Sequence, residues 1–184
     1  MTLPNYITLF RILLVPFFYT AIAYYRPEVA YWRWVAVSIF GFACLTDALD
    51  GFISRKWHSR SELGTFLDPL ADKILLISAF IGLQFSQFEL KPPLWILILV
   101  IFRDIFIVAG LATVYFTTHT VKIEPNFLGK LTTFIQMVTI ISALFAFQFV
   151  TWLWYATGAL TVASGSVYIL REMRRLNGEP IRSS

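Results

Sequence analysis

Residues 31–88 read YWRWVAVSIFGFACLTDALDGFISRKWHSRSELGTFLDPLADKILLISAFIGLQFSQF. Two apolar runs, Tyr31–Phe52 and Thr65–Phe88, flank a short polar stretch from Arg55 to Leu63. Each run is about 20 residues long, the length of helix needed to cross a bilayer core. The stretch reads as two membrane helices joined by a tight connection.

Hydropathy read outward from this pair gives four more spans, Ile7–Tyr25, Leu94–Thr117, Leu128–Val150 and Trp152–Leu170. The gaps are short and polar, at 26–30, 89–93 and 119–127; the last two spans are separated only by Thr151 and flanking aromatics. Leu3 to Tyr6 reads as a short interfacial segment. Pro16 and Pro69 are expected to kink or start helices. The chain has 184 residues, 58% hydrophobic and only 14% charged. A soluble domain of this size has too high a surface-to-volume ratio to hide so much apolar surface. The fold class is therefore all-α integral membrane, a six-transmembrane-helix bundle, and residues 1–184 form a single domain with no linker. The one cysteine, Cys44, excludes an internal disulfide. Met1 to Tyr6 lacks the cationic start of a secretory signal.

Orientation follows from the basic residues. With both termini cytoplasmic, the inner side holds Arg11, Arg55, Lys56, Arg60, Lys122, Lys130, Arg171, Arg174, Arg175 and Arg182, and the outer side Arg26, Arg33 and Lys91. Lys73 and Arg103 fall inside spans. Both termini are expected at the cytoplasmic face of a multi-pass protein. Trp32, Trp34, Trp95, Trp152 and Trp154 gather at span ends and read as an interfacial belt.

All five aspartates, Asp47, Asp50, Asp68, Asp72 and Asp104, lie within or at the edge of apolar spans. An aspartate at a helix centre costs roughly 2.5–3.5 kcal/mol to insert, so five need a common cause. Asp47 and Asp50 are spaced i,i+3, and Asp68 and Asp72 i,i+4, so each pair shares a helix face. Across a tight connection the two pairs converge as antiparallel neighbours. Four converging carboxylates repel, and either protonation or divalent cations relieve them. Oxygen-only ligands favour Mg²⁺ or Mn²⁺, and two such ions would clamp a phosphoryl centre. Gly51 and Gly64 would let a bulky ligand approach the backbone, and Arg55 could neutralise a diphosphate. The structural alternative is that the aspartates merely pair with Arg55, Lys73 and Arg103.

From Asp47 to Asp72 the chain reads D-A-L-D-G-F-I-S-R, eight residues, then G-T-F-L-D-P-L-A-D. This resembles the CDP-alcohol phosphatidyltransferase signature D-x2-D-G-x2-A-R-x8-G-x3-D-x3-D. Seven of its eight fixed positions match, and Ser54 replaces the usual alanine. The opening P-N-Y-I-T-L-F-R, the F-L-D-P-L-A-D-K stretch, Arg103-Asp104, and Gly129-Lys130 with Gln136 resemble the phosphatidylglycerol–cardiolipin branch of that family. The resemblance implies a six-helix membrane enzyme, usually a homodimer, with its active site at the cytoplasmic face of an inner membrane. It would use CDP-diacylglycerol and Mg²⁺ or Mn²⁺ in a two-metal site, amid membrane lipids and without a nucleic-acid partner. It implies that Asp47, Asp50, Asp68 and Asp72 are metal-binding and catalytic, with Asp72 also the general base. Gly51, Ser54, Arg55 and Gly64 would line the CDP-lipid site, and Arg103, Lys130, Arg11 and Lys122 would bind the acceptor.

Members of the branch that take glycerol-3-phosphate typically carry R-E-x6-R in the fourth span and G-K-x-K in the fifth. This chain keeps Arg103 and Lys130 but has Leu111 and Thr132 at the second cationic positions. Glycerol-3-phosphate is the expected acceptor, and phosphatidylglycerol, with less negative charge, is the alternative. Two remoter readings are a UbiA-type prenyltransferase, which also uses aspartate motifs, and an ion transporter built on intramembrane carboxylates.

Overall fold

Six apolar runs fold into six helices: α1 (Leu3–Tyr24), α2 (Tyr31–Trp57), α3 (Glu62–Phe85), α4 (Leu94–Thr118), α5 (Phe127–Leu144) and α6 (Val150–Leu176). The structure, a computed structural model, describes the backbone of residues 3–57, 62–118 and 127–176 and the side chains of residues 9–46, 73–110 and 127–171. Leu3 to Tyr6 is the first turn of α1, not a separate segment. Pro4 is tolerated there because first-turn amides have no intrahelical acceptor. Pro16 and Pro69 lie inside α1 and α3 rather than at their starts.

The largest boundary difference is at the last connection. α5 stops at Leu144, and residues 145–149 form a turn before α6. The Phe147 amide donates to the Ser142 carbonyl and the Ala146 amide to the Ala143 carbonyl, both at 3.0 Å. Ala146 is left-handed, at φ 58°. This pair of bonds is a Schellman closure, which commonly uses glycine at the left-handed position. Alanine hides the stop from a sequence reading, and no charged residue occurs from Leu131 to Leu170 to mark it.

The helices form two groups. α1 packs closely against α2 and α3, and α6 packs against α4 and α5. The groups meet along α2–α5, α3–α4 and α3–α5. Among the described residues, α2 and α3 therefore pack chiefly on α1 rather than on each other. Across the helix ends remote from the 58–61 link, Arg33 of α2 ties the first group to the α3–α4 connection. Its guanidinium lies over the rings of Tyr25 and Phe88, at 5.1 and 5.6 Å. It donates to the Tyr25 hydroxyl at 2.5 Å and to Glu89 at 3.3 Å. The two rings stack at 4.0 Å.

Polar side chains are buried beside an apolar core, and large apolar residues cover the outside. Arg11, Arg103, Asp104, Thr132, Gln136, Thr139, Thr157, Thr161 and Ser164 are buried, while Phe17, Leu45, Phe85, Phe102, Phe134 and Trp152 stand exposed. Water would penalise that arrangement, whereas lipid favours it. By length and composition, Phe127–Leu144 and Val150–Arg171 are long and apolar enough to cross a membrane, among the described residues. Of the expected tryptophan belt, Trp34, Trp95 and Trp152 are exposed, but Trp154 is buried against Phe80. Its spacing along α6 turns it toward the bundle.

Candidate active site

The motif aspartates sit on the ends of α2 and α3 that face the 58–61 link. Asp47 is ten residues before Trp57, the end of α2, and Asp72 ten residues after Glu62, the start of α3. Asp50 and Asp68 are seven and six residues from the same ends. At a 1.5 Å rise per residue, Asp47 and Asp72 both lie about 15 Å along their helices, and Asp50 and Asp68 both about 10 Å. Chain reach limits the gap between Trp57 and Glu62 to about 18 Å. Helix register thus sets the two pairs at similar distances from the facing ends of their helices. The side chains of Asp47, Asp50, Gly51, Ser54, Arg55, Gly64, Asp68 and Asp72 lie outside the described residues, as does all of Lys122. No group of three metal-ligating side chains occurs among the described residues. The donor set at the four motif positions, carboxylates alone in two same-face pairs, suits a hard divalent cation.

The fifth aspartate has a different setting. Asp104 is 1% exposed, and its Oδ1 accepts from Lys73 Nζ and Arg103 Nη1, both at 2.7 Å. Arg103 Nη2 donates to Ser164 Oγ at 2.8 Å. Buried ions need such partners, because each pays a large desolvation penalty. Two cations facing one carboxylate leave the cluster a formal net positive charge. Asp104 Oδ2 and Arg103 Nε are buried without a hydrogen-bond partner.

Arg11 and Lys130, two further acceptor candidates, lie on α1 and α5. Arg11 is 1% exposed, eight residues into α1, about 12 Å along the helix. Lys130 is exposed in the first turn of α5. Thr132, at the second cationic position of the G-K-x-K pattern, is buried and gives its hydroxyl to the carbonyls of Leu128 and Leu160, at 2.7 and 3.2 Å.

A family model for CDP-alcohol phosphatidyltransferase matches residues 1–163. The chain belongs to the CDP-alcohol phosphatidyltransferase family. The resemblance read from residues 47–72 is thereby borne out. Members of this family are generally dependent on divalent metal. Among its relatives, the chain is similar to a probable phosphatidylglycerophosphate synthase of Mycobacterium tuberculosis, at 35% identity over 96% of this chain and 84% of the relative. It is similar to a probable CMP-forming cardiolipin synthase of Drosophila melanogaster, at 34% identity over 92% of this chain and 57% of the relative. A CMP-forming cardiolipin synthase of Homo sapiens is 31% identical over 91% of this chain and 60% of the relative. The chain therefore spans somewhat more than half the length of these two cardiolipin synthases. The CDP-alcohol phosphatidyltransferase motif lies on the C-terminal part of α2 and the N-terminal part of α3.

Sequence reading did not anticipate two features of the interior. The Arg33–Tyr25–Phe88 stack has no spacing signal, because its members come from three elements. The polar seam between α5 and α6 does have one. Thr132, Gln136 and Thr139, and Thr157, Thr161 and Ser164, each repeat at i, i+4, i+7. Thr139 and Thr157 share a 2.9 Å hydrogen bond. Gln136 is 0% exposed, and neither amide atom has a hydrogen-bond partner.

Proposed function

We propose that the chain is a multi-pass membrane enzyme that transfers a phosphatidyl group from CDP-diacylglycerol to glycerol-3-phosphate, releasing CMP. The observation that carries this reading is the Asp47–Asp72 motif, set at similar distances from the facing ends of α2 and α3 in a chain of the CDP-alcohol phosphatidyltransferase family. The large apolar residues exposed on all six helices support six membrane crossings. The excess of lysine and arginine at the 58–61 end of the bundle supports a cytoplasmic active site and cytoplasmic termini. A homodimer and surrounding lipids complete the proposed assembly.

Asp47, Asp50, Asp68 and Asp72 would hold the divalent ions, Mg²⁺ or Mn²⁺. When bound, these ions would withdraw charge from the diphosphate and stabilise CMP as a leaving group. Asp72 removes the proton from the acceptor hydroxyl. The freed oxygen forms a bond to the phosphorus that carries the diacylglycerol. The bond from that phosphorus to the CMP oxygen breaks, and CMP leaves with the electron pair. Gly51 and Gly64 leave room for the nucleotide against the helix backbone, Ser54 offers a hydroxyl, and Arg55 balances diphosphate charge. Arg103, Lys130, Arg11 and Lys122 supply positive charge for the acceptor phosphate.

One observation favours phosphatidylglycerol as acceptor instead. Thr132 directs its hydroxyl to two main-chain carbonyls, so this position contributes no cation. Purified protein with CDP-diacylglycerol and Mg²⁺ or Mn²⁺, offered each acceptor in turn, separates the two. CMP release with glycerol-3-phosphate alone supports the main reading, and release with phosphatidylglycerol alone replaces it. No CMP with any alcohol removes the transferase assignment.

A further inference from the structure

The proposed chemistry draws on both helix groups. All four motif aspartates stand on α2 and α3, with Arg11 in the same group on α1, whereas Arg103 and Lys130 stand on α4 and α5. A transfer reaction needs both substrates in one geometry, so the relative placement of the groups must be fixed. Aromatic pairs cross between them: Trp34 with Phe145 at 5.8 Å, and Phe80 with Trp154 at 6.0 Å. Such contacts hold two surfaces together but tolerate sliding and rotation. The Lys73–Asp104 ion pair also crosses, and it is directional.

Its position is what matters. Lys73 directly follows Asp72 and lies about 100° around α3 from it. Asp104 is held in turn from its own group, through Arg103 to Ser164 of α6. The chain of contacts therefore runs from α6 through α4 to the residue beside the proposed general base. We infer that Asp104, acting through Lys73, is a positioning residue that fixes the rotation of α3 and so aims Asp72 at an acceptor held in part by the other helix group. The inference rests on the transferase reading for its chemistry. Its mechanical part stands on the ion pair alone.

The expected size follows from helix dimensions. A 20° rotation of α3 moves a side chain about 5–6 Å from the axis by roughly 2 Å. Misplacement of a reacting group by about 1 Å can cost about 100-fold in rate. A buried ion pair adds little net stability over apolar packing, and its best-attested use is to fix register, which matches this role.

The test uses full-length protein carrying Asp104→Asn, Lys73→Met or Lys73→Arg. It measures CMP release, binding of CDP-diacylglycerol without acceptor, and the separation of spin labels at Phe85→Cys and Phe102→Cys in a Cys44→Ser background. Both Phe85 and Phe102 are exposed, on α3 and α4. Asp104→Asn and Lys73→Met are expected to lower kcat about 10- to 100-fold, to leave CDP-diacylglycerol affinity within about threefold, and to broaden the label distances. Lys73→Arg, which keeps the pair, should recover kcat to within about threefold of wild type. The inference is overturned if folded Asp104→Asn or Lys73→Met turns over within about twofold of wild type. It is also overturned if donor binding collapses together with kcat. Should Asp104→Asn fail to fold, the contrast between Lys73→Met and Lys73→Arg decides. If wild type releases no CMP, the transferase reading fails, and the label distances alone judge the clamp: unchanged widths reject it.

Discussion

Replacing Arg33 by alanine removes a side chain that holds three elements together far from the aspartates. Arg33 is 20% exposed, and Tyr25 and Phe88 beneath it are each 2% exposed. Its hydrogen bond to the Tyr25 hydroxyl is charge-assisted, a class worth about 1.5–3 kcal/mol. Its stacking on two buried rings adds about 1–2 kcal/mol. The bond to Glu89 adds little, because Glu89 is 57% exposed and such pairs are worth about 0–1 kcal/mol. One guanidinium makes all these contacts, so they do not sum freely, and Arg33→Ala should cost about 2–4 kcal/mol. Arg33→Lys keeps the charge but loses the planar stack, and should cost about half as much. Glu89→Gln should cost less than about 0.5 kcal/mol. Titration with SDS, followed by tryptophan fluorescence, measures all three in detergent micelles. CMP release at a permissive temperature should stay near wild type, because the stack lies at the opposite end of α2 from the motif. The reasoning is refuted if Arg33→Ala unfolds within about 0.5 kcal/mol of wild type, or if Glu89→Gln matches its cost.

Asp72→Asn should abolish CMP release while retaining most CDP-diacylglycerol binding; normal release would remove Asp72 from the mechanism. Asp50→Asn should raise the Mn²⁺ concentration needed for half-maximal CMP release and also lower the maximum, and chelation of divalent ions should silence the wild type. Ala146→Gly should stabilise the fold by about 0.5–1 kcal/mol in the same SDS titration. It relieves a left-handed alanine, costing about 1–2 kcal/mol, against about 0.4–1 kcal/mol of added unfolded-chain freedom. Gly158→Ala would place a methyl 2.7 and 2.8 Å from carbons of the Trp95 ring, closer than atoms tolerate. A lower unfolding midpoint, by about 1–3 kcal/mol, and a shift in Trp95 emission should report the displaced α4–α6 contact.

Much of the architecture was legible in one dimension. A membrane helix must satisfy its own backbone and present apolar residues over about 20 positions, so its presence is a local property of the chain. That is why the runs at Tyr31–Phe52 and Leu94–Thr117 anticipate α2 and α4. The motif was legible for a related reason: four aspartates at fixed spacing within apolar runs are costly to place in lipid and so stand out along the chain. The end of α5 was not legible, because its Schellman closure uses an alanine where glycine would have announced it. Trp154 was misplaced in the interfacial belt because proximity to a helix end does not reveal which way a side chain faces.

The sequence by itself determined six helices, the carboxylate motif and the family, because each depends on residue chemistry at fixed spacing along one or two helices. Tertiary structure alone decided how the helices divide into two groups, and that α1 lies against both α2 and α3. It alone decided that Asp104 takes Lys73 as well as its neighbour Arg103. Those facts depend on which helix faces which, and in lipid that choice is set by packing and paired charges between distant segments rather than by local hydropathy.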